Sequence, residues 1–293
     1  MKAVDSHLLT LLKKSSQFIV PIYQRVYSWQ ESECEQLWSD ILRAGVTDRM
    51  GAHFTGSIVY VARGQSTNTS AEPDLIIDGQ QRVTTVTLVL AALAQHLDTL
   101  PEDEREPWDG FSPKKIRNRY LLNDDEDGER QFKLVLSQGD RDALKAIVLG
   151  AEPDDDIPTR VTTNFQFFRN KFSDPALDLA ALCRGLDKLV VVDVTLTRGV
   201  DNPQLVFEAM NSTGRKLSQA DLIRNYVLMD MPPKEQDALY TAYWRPMELE
   251  FVGSNDSQFD EFVRHYLTIK TGEIPRLGDI YDAHLKDPAR AET

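Results

Sequence analysis

The chain has 293 residues, of which 41% are hydrophobic and 27% are charged, and its formal net charge at pH 7 is −13. This composition is typical of a globular protein with a sizeable core, and the acidic balance argues against a uniformly positive nucleic-acid-binding surface without excluding a local basic groove. No apolar run approaches the roughly 20 residues of a transmembrane helix, and the N-terminal segment lacks the apolar stretch of a secretory signal. We therefore expect a cytoplasmic protein with no membrane partner.

The first 62 residues predict two strands with a helix between them. "QFIVP" has strand composition and ends at Pro21, which has no N–H group for a strand ladder. Residues 28–45 follow with helical periodicity, with Ser28 or Ser32 as the N-cap and Gly45 as the stop. "GSIVYVA" is rich in β-branched residues and predicts the second strand.

A polar turn lies between the next strand and helix. "LII" reads as a short buried strand, and the residues that follow "DGQQR" have apolar side chains at helical spacing, from Val86 to Leu97. The order is therefore strand, turn, helix, with residues 78–82 at the turn.

From about residue 101 the pattern changes to helices joined by acidic loops, with a predicted strand at about 188–196. Asn202 and Ser218 are in N-cap positions before two further helices, and the tail contains two amphipathic segments. We predict an α+β fold with an N-terminal α/β domain over residues 1–100 and a mainly helical region over residues 101–293.

The residue types of the turn suit binding of a phosphate group. Gly79 permits positive φ and close approach of a ligand, and the following helix N-terminus offers unpaired N–H groups. Arg82 adds a forked cation, and Asp78 could bind Mg²⁺ or orient water. Gln80, Gln81, Thr84 and Thr85 add further polar groups at this helix end. The alternative is a polar turn with a helix-capping Asp78 and a surface arginine.

Several other kinds of site are disfavoured by spacing. Cys34 and Cys183 are isolated, which predicts buried reduced thiols, and the five histidines are scattered without metal-ligand spacing. The glycine–lysine pattern of a P-loop is absent from the sequence, so a P-loop is excluded as the nucleotide site.

Four segments together carry a family resemblance: "FIVPIYQRVYSW", "HFTGSIVYV", "LIIDGQQRVTTVTLVLAAL" and "VFEAMNSTGRKLSQADLIRNYVL". In this order and at these separations they resemble the DGQQR-motif domain of GmrSD-type modification-dependent restriction enzymes, and most of all its phosphorothioate-sensing SspE members. The resemblance covers residues 17–231 and is less distinctive in the tail.

The resemblance implies a ParB/sulfiredoxin-like N-terminal domain that hydrolyses ATP or GTP with Mg²⁺ and couples hydrolysis to modified double-stranded DNA. It implies catalytic roles for Asp78, Gln81 and Arg82, with Asp78 as the metal ligand. Its nucleotide-binding set is Asp78, Gly79, Gln80, Gln81, Arg82, Thr84, Thr85, Asn211, Asp221 and Asn225. Many members carry a C-terminal HNH nuclease, but no His-Asn-His arrangement occurs here, so we expect no DNA cleavage by this chain and a nuclease domain as its partner. A homo-oligomer is also compatible with the sequence.

The segment "FIVPIYQRVYSW" is the candidate reader of the DNA modification. We expect residues 23–27 to form a loop where large side chains have little reason to be buried. A phosphorothioate site should pair a cation with an apolar wall, which gives the set Pro21, Ile22, Tyr23, Gln24, Arg25 and Tyr27. In one alternative Gln24 and Arg25 complete the nucleotide pocket, and in another the segment is purely structural.

Three classes of function therefore remain open. The first is an NTP-hydrolysing sensor of modified DNA, which regulates a nuclease in an anti-phage restriction system. The second is a nucleotide-binding DNA-binding or scaffold module that does not hydrolyse its ligand. The third is an unrelated enzyme that uses the DGQQR turn as a phosphate clamp for a small metabolite.

Overall fold

The computed structural model describes residues 1–47, 51–62, 73–137, 139–153, 159–211, 217–229, 231–251 and 256–286, and within them the fold is mixed α/β. The chain divides into two compact units, of which the first contains residues 1–21 and 26–201 and the second contains residues 22–25 and 202–293. This division differs from the predicted boundary at residue 100, because strands on both sides of that position belong to one sheet.

Six strands of the described residues form a mixed sheet in the first unit, in the order β1-β6-β3-β4-β2-β5. Three neighbouring pairs are parallel, namely β6 with β3, β4 with β2 and β2 with β5, and the other two pairs are antiparallel. The strands are β1 (Lys2–His7), β2 (Phe18–Ile19), β3 (His53–Ala62), β4 (Asp74–Asp78), β5 (Leu134–Val135) and β6 (Leu189–Thr197).

Strand β6 confirms the strand predicted at residues 188–196, whereas β1 was not predicted. Strand β1 pairs antiparallel with β6 from Lys2 opposite Thr195 to His7 opposite Val190. Its residues are almost all exposed, so its sequence lacks the apolar alternation that reveals a half-buried strand.

The central helix of the first unit is α3, in which 15 of the residues 80–99 are buried and against which α4, α5 and α6 pack. The predicted helix at residues 28–45 is α2, but its N-cap is Gln30 in a capping box with Glu33 rather than Ser28 or Ser32. The helices are α1 (Leu8–Lys14), α2 (Glu31–Val46), α3 (Gln80–Thr99), α4 (Pro113–Ile116), α5 (Gly139–Val148), α6 (Arg160–Phe172) and α7 (Leu179–Asp187). Among the described helices, none is long and apolar enough to cross a bilayer.

Helices α2 and α7 cross at a point where both backbones are in close contact. A Cβ atom on Gly185 would lie 1.9 Å from the carbonyl oxygen of Ile41, and one on Gly45 would lie 1.8 Å from that of Ala181. The two glycines therefore allow the helices to pack backbone against backbone, and Gly45 also lies at the predicted end of α2.

We expect Gly185→Ala to lower the free energy of unfolding by about 3 kcal/mol, because the methyl group must push two helix backbones apart. Urea denaturation of the variant measures this loss. Gly278→Ala is the matched control, since a Cβ atom there has no neighbour within 4 Å. Equal stability of the two variants would contradict the close crossing.

The described residues of the second unit from 202 onward are mainly helical, and both predicted N-caps are confirmed. Asn202 Oδ1 accepts hydrogen bonds from the N–H groups of Gln204 and Leu205 at 2.9 and 3.2 Å. Ser218 Oγ accepts one from Asp221 N at 3.0 Å. The helices are α8 (Pro203–Asn211), α9 (Gln219–Met229), α10 (Pro233–Leu239), α11 (Arg245–Glu250), α12 (Asp256–Thr271) and α13 (Ile280–Leu285).

Candidate functional site

The DGQQR turn joins β4 to α3 in the predicted order. Strand β4 ends at Asp78, Gly79 is the N-cap of α3 with φ 90° and ψ 5°, and the helix begins at Gln80. A Cβ atom on Gly79 would lie 2.7 Å from the carbonyl oxygen of Ser57 and 3.1 Å from Ile58 Cα. Glycine is therefore required twice at this position, by the left-handed backbone and by the contact with β3.

Arg82 is fixed against β3 at an irregularity of that strand. Its Nη1 donates a hydrogen bond to the carbonyl oxygen of Ser57 at 2.6 Å. The pairing of β3 with β6 shifts register between Phe54 and Ser57, and Gly56 there has φ 111°. A Cβ atom on Gly56 would lie 2.6 Å from Arg82 Nη2, so the glycine makes room for the guanidinium.

The charge of Arg82 is only partly compensated by its surroundings. Burial lowers the pKa of Arg82, and the negative charge of Asp78 offsets part of this effect. An arginine stays protonated in proteins at neutral pH, so the guanidinium remains a cation with several N–H donors. Among the described residues Ser57 is its hydrogen-bond acceptor, which leaves other donors for a ligand.

A cleft of about 270 Å³ opens beside Arg82 in the first unit. Its apolar lining includes Trp29 and Phe54, and the Phe54 side chain is 63% exposed although it lies on a central strand. The polar lining includes two carboxylates, Glu33 and Asp40, and His53, whose Nε2 atom lies 3.5 Å from Asp40 Oδ2. The cleft thus combines aromatic rings with a fixed cation, a combination that suits a base or sugar carrying a phosphate.

The N-terminus of α3 adds a second source of positive potential. The first turn of this 20-residue helix contains no acidic residue. Its N-cap, Gly79, has no side chain that could accept a hydrogen bond from the first N–H groups. The first N–H groups of a helix have no acceptor within the helix, and they carry the positive end of its dipole. Arg82 and these amides together favour an anion at the turn.

A magnesium ion would have a single carboxylate ligand from the turn. No group of three or more His, Cys, Asp or Glu side chains in the described part of the chain is arranged to hold a metal. Mg²⁺ in nucleotide sites is commonly bound by one or two carboxylates together with phosphate oxygens and water. Asp78 fits that type of site and does not fit a site formed by protein ligands alone.

Gln81 does not have the environment of a catalytic residue. Its side chain is 7% exposed, and Oε1 accepts hydrogen bonds from Ser28 N and Trp29 N at 2.8 and 3.1 Å. Its Nε2 donates to the carbonyl oxygen of Val26 at 3.3 Å. The predicted direct role in catalysis does not fit this geometry, because the amide is already committed to the backbone of residues 26–29.

Three other predicted nucleotide ligands of the turn are also buried. The exposed fractions of Gln80, Thr84 and Thr85 are 8%, 1% and 0%. The hydroxyl group of Thr85 donates to the carbonyl oxygen of Gln81 at 2.8 Å and lies 2.7 Å from the Tyr27 hydroxyl. Thr84 and Thr85 therefore face the interior, and the partly exposed residues of the turn are Asp78, Gly79 and Arg82.

Residues 23–27 form a loop, as predicted, but the expectation that their large side chains are exposed is wrong. Tyr23, Gln24 and Tyr27 are 2%, 5% and 4% exposed, and Pro21 is also buried. In the second unit Tyr23 packs with Leu228 and Tyr240, and Ile22 joins this cluster. Ile22 and Arg25 are the partly exposed members of the predicted DNA-reading set.

Two buried residues missed by the sequence analysis hold the segment that follows Arg25. Asp140 Oδ2 accepts a hydrogen bond from Tyr27 N at 2.7 Å. Asn164 Nδ2 donates to the Tyr27 hydroxyl at 3.0 Å and to the carbonyl oxygen of Trp29 at 2.9 Å. These partners are 113 to 137 positions away from Tyr27 in the chain, and no local pattern marks them.

The buried Asp140 makes stability depend on pH. Burial raises the pKa of Asp140 from 3.8 to about 6, although the Tyr27 N–H group opposes this shift. The folded state therefore binds this proton more tightly than the unfolded state, and the stability contributed at low pH is lost as the pH rises through about 6.

We expect Asp140→Asn, which cannot ionise, to gain stability relative to the unmodified chain as the pH rises from about 4 to about 7. The relative gain is about 3 kcal/mol for a shift of roughly two pKa units. Urea denaturation of both proteins at several pH values measures the difference. Asp142→Asn on the exposed side of α5 is the control, and a pH-independent difference for Asp140→Asn would contradict the expected shift.

The residues of the second unit that were predicted to bind nucleotide differ in their burial and in their hydrogen-bond partners. Asp221 Oδ1 lies 2.7 Å from Nη2 of the buried Arg224, so its carboxylate takes part in an internal ion pair. Asn225 is 1% exposed, and neither polar atom of its side chain has a hydrogen-bond partner among the described residues. Asn211 ends α8, and its side chain lies outside the described part of the structure.

Comparison with known proteins identifies one family. The family model described as the GmrSD restriction endonuclease N-terminal domain matches residues 8–228. The matched region includes the DGQQR turn, the segment around Arg25 and helix α9 up to Leu228. A search of curated proteins found no match.

Proposed function

We propose, because the chain belongs to the family of GmrSD restriction endonuclease N-terminal domains, that it is the NTP-hydrolysing sensor of modified DNA in a restriction system. Membership makes the chain a module of such a system and implies DNA and a C-terminal nuclease domain as partners. The proposal adds that the first unit has a ParB/sulfiredoxin-like fold and that its DGQQR turn binds the nucleotide.

One observation carries the nucleotide site. The guanidinium of Arg82 is held by the Ser57 carbonyl oxygen in a space left by Gly56, and it borders a cleft with aromatic walls. Arg82 belongs to the first turn of α3, so its charge and the helix-end amides lie in the same turn, and both favour phosphate oxygens. Stabilising charge on a transferred phosphoryl group is the main catalytic demand of NTP hydrolysis.

Mg²⁺ would be held by Asp78 together with the phosphates of ATP or GTP, and when bound it would neutralise phosphate charge. Asp78 precedes the helix at the end of β4 and attracts the Arg82 guanidinium. The carboxylate would thus serve the ion while its negative charge favours the protonated form of Arg82. Gly79 allows the phosphate chain to approach the backbone of the turn.

The reading of modified DNA is proposed for Arg25. This arginine is partly exposed and follows the buried Tyr23 and Gln24, which fix its place in the second unit. Arginine recognises phosphate groups bidentately, and a phosphorothioate needs an apolar neighbour for its soft, weakly hydrated sulfur. Within the same compact unit, Ile22 is the partly exposed apolar residue nearest to it in the sequence.

Phosphate release from ATP and GTP by the purified chain tests the proposal. The reactions contain Mg²⁺ and either no DNA, an unmodified duplex, or the same duplex with phosphorothioate linkages. We expect turnover that only the modified duplex increases, and Arg25→Ala should remove this increase without removing basal turnover. Turnover that no DNA changes would contradict the sensing part of the proposal.

The second candidate is a nucleotide-binding module that does not hydrolyse its ligand. It is favoured by the environment of Gln81, whose amide is committed to residues 26–29 and does not face the cleft as a water-orienting group would. Nucleotide binding without phosphate release under any of the conditions above would select this candidate.

A further inference from the structure

Residues 26–29 are held by side chains of three different helices. Gln81 of α3 bonds the carbonyl oxygen of Val26 and the N–H groups of Ser28 and Trp29. Asp140 of α5 bonds the N–H group of Tyr27, and Asn164 of α6 bonds the carbonyl oxygen of Trp29. We call Gln81, Asp140 and Asn164 the 26–29 clamp.

The clamp replaces the hydrogen bonds that regular secondary structure would supply. Residues 26–29 belong to neither a helix nor a strand, and buried backbone groups must find partners. Five of their backbone groups are bonded by the three side chains of the clamp. The position of residues 26–29 therefore depends on the relative positions of α3, α5 and α6.

One member of the clamp is part of the DGQQR turn itself. Gln81 directly precedes Arg82 in the first turn of α3, and the segment it holds ends with Trp29, which lines the cleft beside Arg82. The segment also begins directly after Arg25 in the chain. A shift of the first turn of α3 would therefore displace both Trp29 and Val26, which directly follows Arg25.

The network around the clamp is not fully satisfied. Asn164 Oδ1 and Ser28 Oγ are buried and have no hydrogen-bond partner among the described residues. Unsatisfied buried polar atoms cost free energy. A second conformation of residues 26–29 in which these two atoms gained hydrogen bonds would therefore recover part of the free energy needed to break the present bonds.

We propose that Gln81 is a positioning residue that couples the DGQQR turn to residues 26–29 through the clamp. This inference rests on the proposed nucleotide site and assigns to it a route of communication with the segment next to Arg25. Nucleotide binding at the turn changes how strongly the backbone amides of residues 26–29 are protected from hydrogen exchange. Because coupling is reciprocal, a shift in the conformational equilibrium of this segment alters nucleotide affinity by the same factor.

Hydrogen exchange of the backbone amides of Tyr27, Ser28 and Trp29, with and without Mg–GTP, tests the coupling. We expect Gln81→Met to speed exchange at Ser28 and Trp29 about tenfold, because it removes their acceptor. In the unmodified chain Mg–GTP should change exchange at these amides, and in Gln81→Met this response should be lost. Gln81→Glu keeps the acceptor oxygen and should restore the protection.

Gln95→Met is the matched control, because Gln95 lies on the same helix and its Nε2 donates to the Ile147 carbonyl oxygen at 3.1 Å. It should leave exchange at residues 27–29 unchanged. Unchanged exchange in Gln81→Met, or a nucleotide response that survives in it, would overturn the coupling. Absence of nucleotide binding to the unmodified chain would instead contradict the proposed function, and the comparison without nucleotide would still decide whether Gln81 holds the segment.

Discussion

Arg82→Ala is expected to reduce NTP turnover by about 100-fold or more, because it removes the fixed cation that would stabilise charge on the transferred phosphoryl group. The guanidinium is held by the Ser57 carbonyl oxygen at 2.6 Å, so lysine cannot reproduce both that bond and a forked contact to phosphate. Arg82→Lys should therefore recover only part of the loss. Steady-state phosphate release at saturating Mg–GTP and Mg–ATP measures both effects.

Arg105→Ala is the control for this prediction. Arg105 belongs to the same unit, and its Nε donates to the Leu100 carbonyl oxygen at 2.8 Å, so its replacement tests the loss of a comparable arginine–carbonyl bond. It should leave turnover within about twofold of the unmodified chain, since surface polar bonds contribute modestly to stability. Similar turnover in Arg82→Ala and Arg105→Ala would remove Arg82 from the proposed active site.

Arg224→Met is expected to lower the free energy of unfolding by about 3 kcal/mol, because it leaves two partly buried carboxylates without the buried cation that pairs with them. Arg224 is 3% exposed, and it is paired with Asp221 at 2.7 Å and with Glu248. Its Nε also donates to the Tyr23 carbonyl oxygen at 2.7 Å. Burial lowers the pKa of Arg224, but the two carboxylates outweigh this effect, so the net shift is upward.

Urea denaturation followed by circular dichroism measures this loss. Adding Glu248→Gln to Arg224→Met should return part of the stability, because the double variant contains one fewer unpaired charge. Arg264→Met is the control, since Arg264 donates to the Pro275 carbonyl oxygen in the same unit and has no carboxylate partner among the described residues. A small loss in Arg224→Met, equal to that of the control, would contradict the buried ion network.

Local features of the fold could be predicted from the sequence. The strand, turn and helix around Gly79 follow from a short apolar run, a glycine and helical periodicity within residues 74–99. The caps at Asn202 and Ser218 were predicted for the same reason, since a cap bonds residues two or three positions away. Cys34 and Cys183 are free and buried, as their isolated positions predicted.

The burial of side chains whose packing partners lie far away in the sequence could not be predicted in this way. Tyr23 and Tyr27 were expected on an exposed loop, yet Tyr23 packs against Leu228, and Tyr27 is bonded by Asn164. The sequence likewise marked Gln81 as a polar group of the turn without indicating that its amide faces residues 26–29. Residue types at the turn therefore indicated the chemistry, and only tertiary contacts separated ligand-facing side chains from structural ones.

The most direct test of the central claim is calorimetric titration of Mg²⁺ with a non-hydrolysable GTP or ATP analogue into the unmodified chain and into Arg82→Ala. If the DGQQR turn is the nucleotide site, the unmodified chain binds the analogue, and Arg82→Ala weakens binding about tenfold or more, as expected for loss of a charge-assisted contact. Equal affinities in the two proteins, or no binding to either, would contradict the assignment of the nucleotide site to this turn.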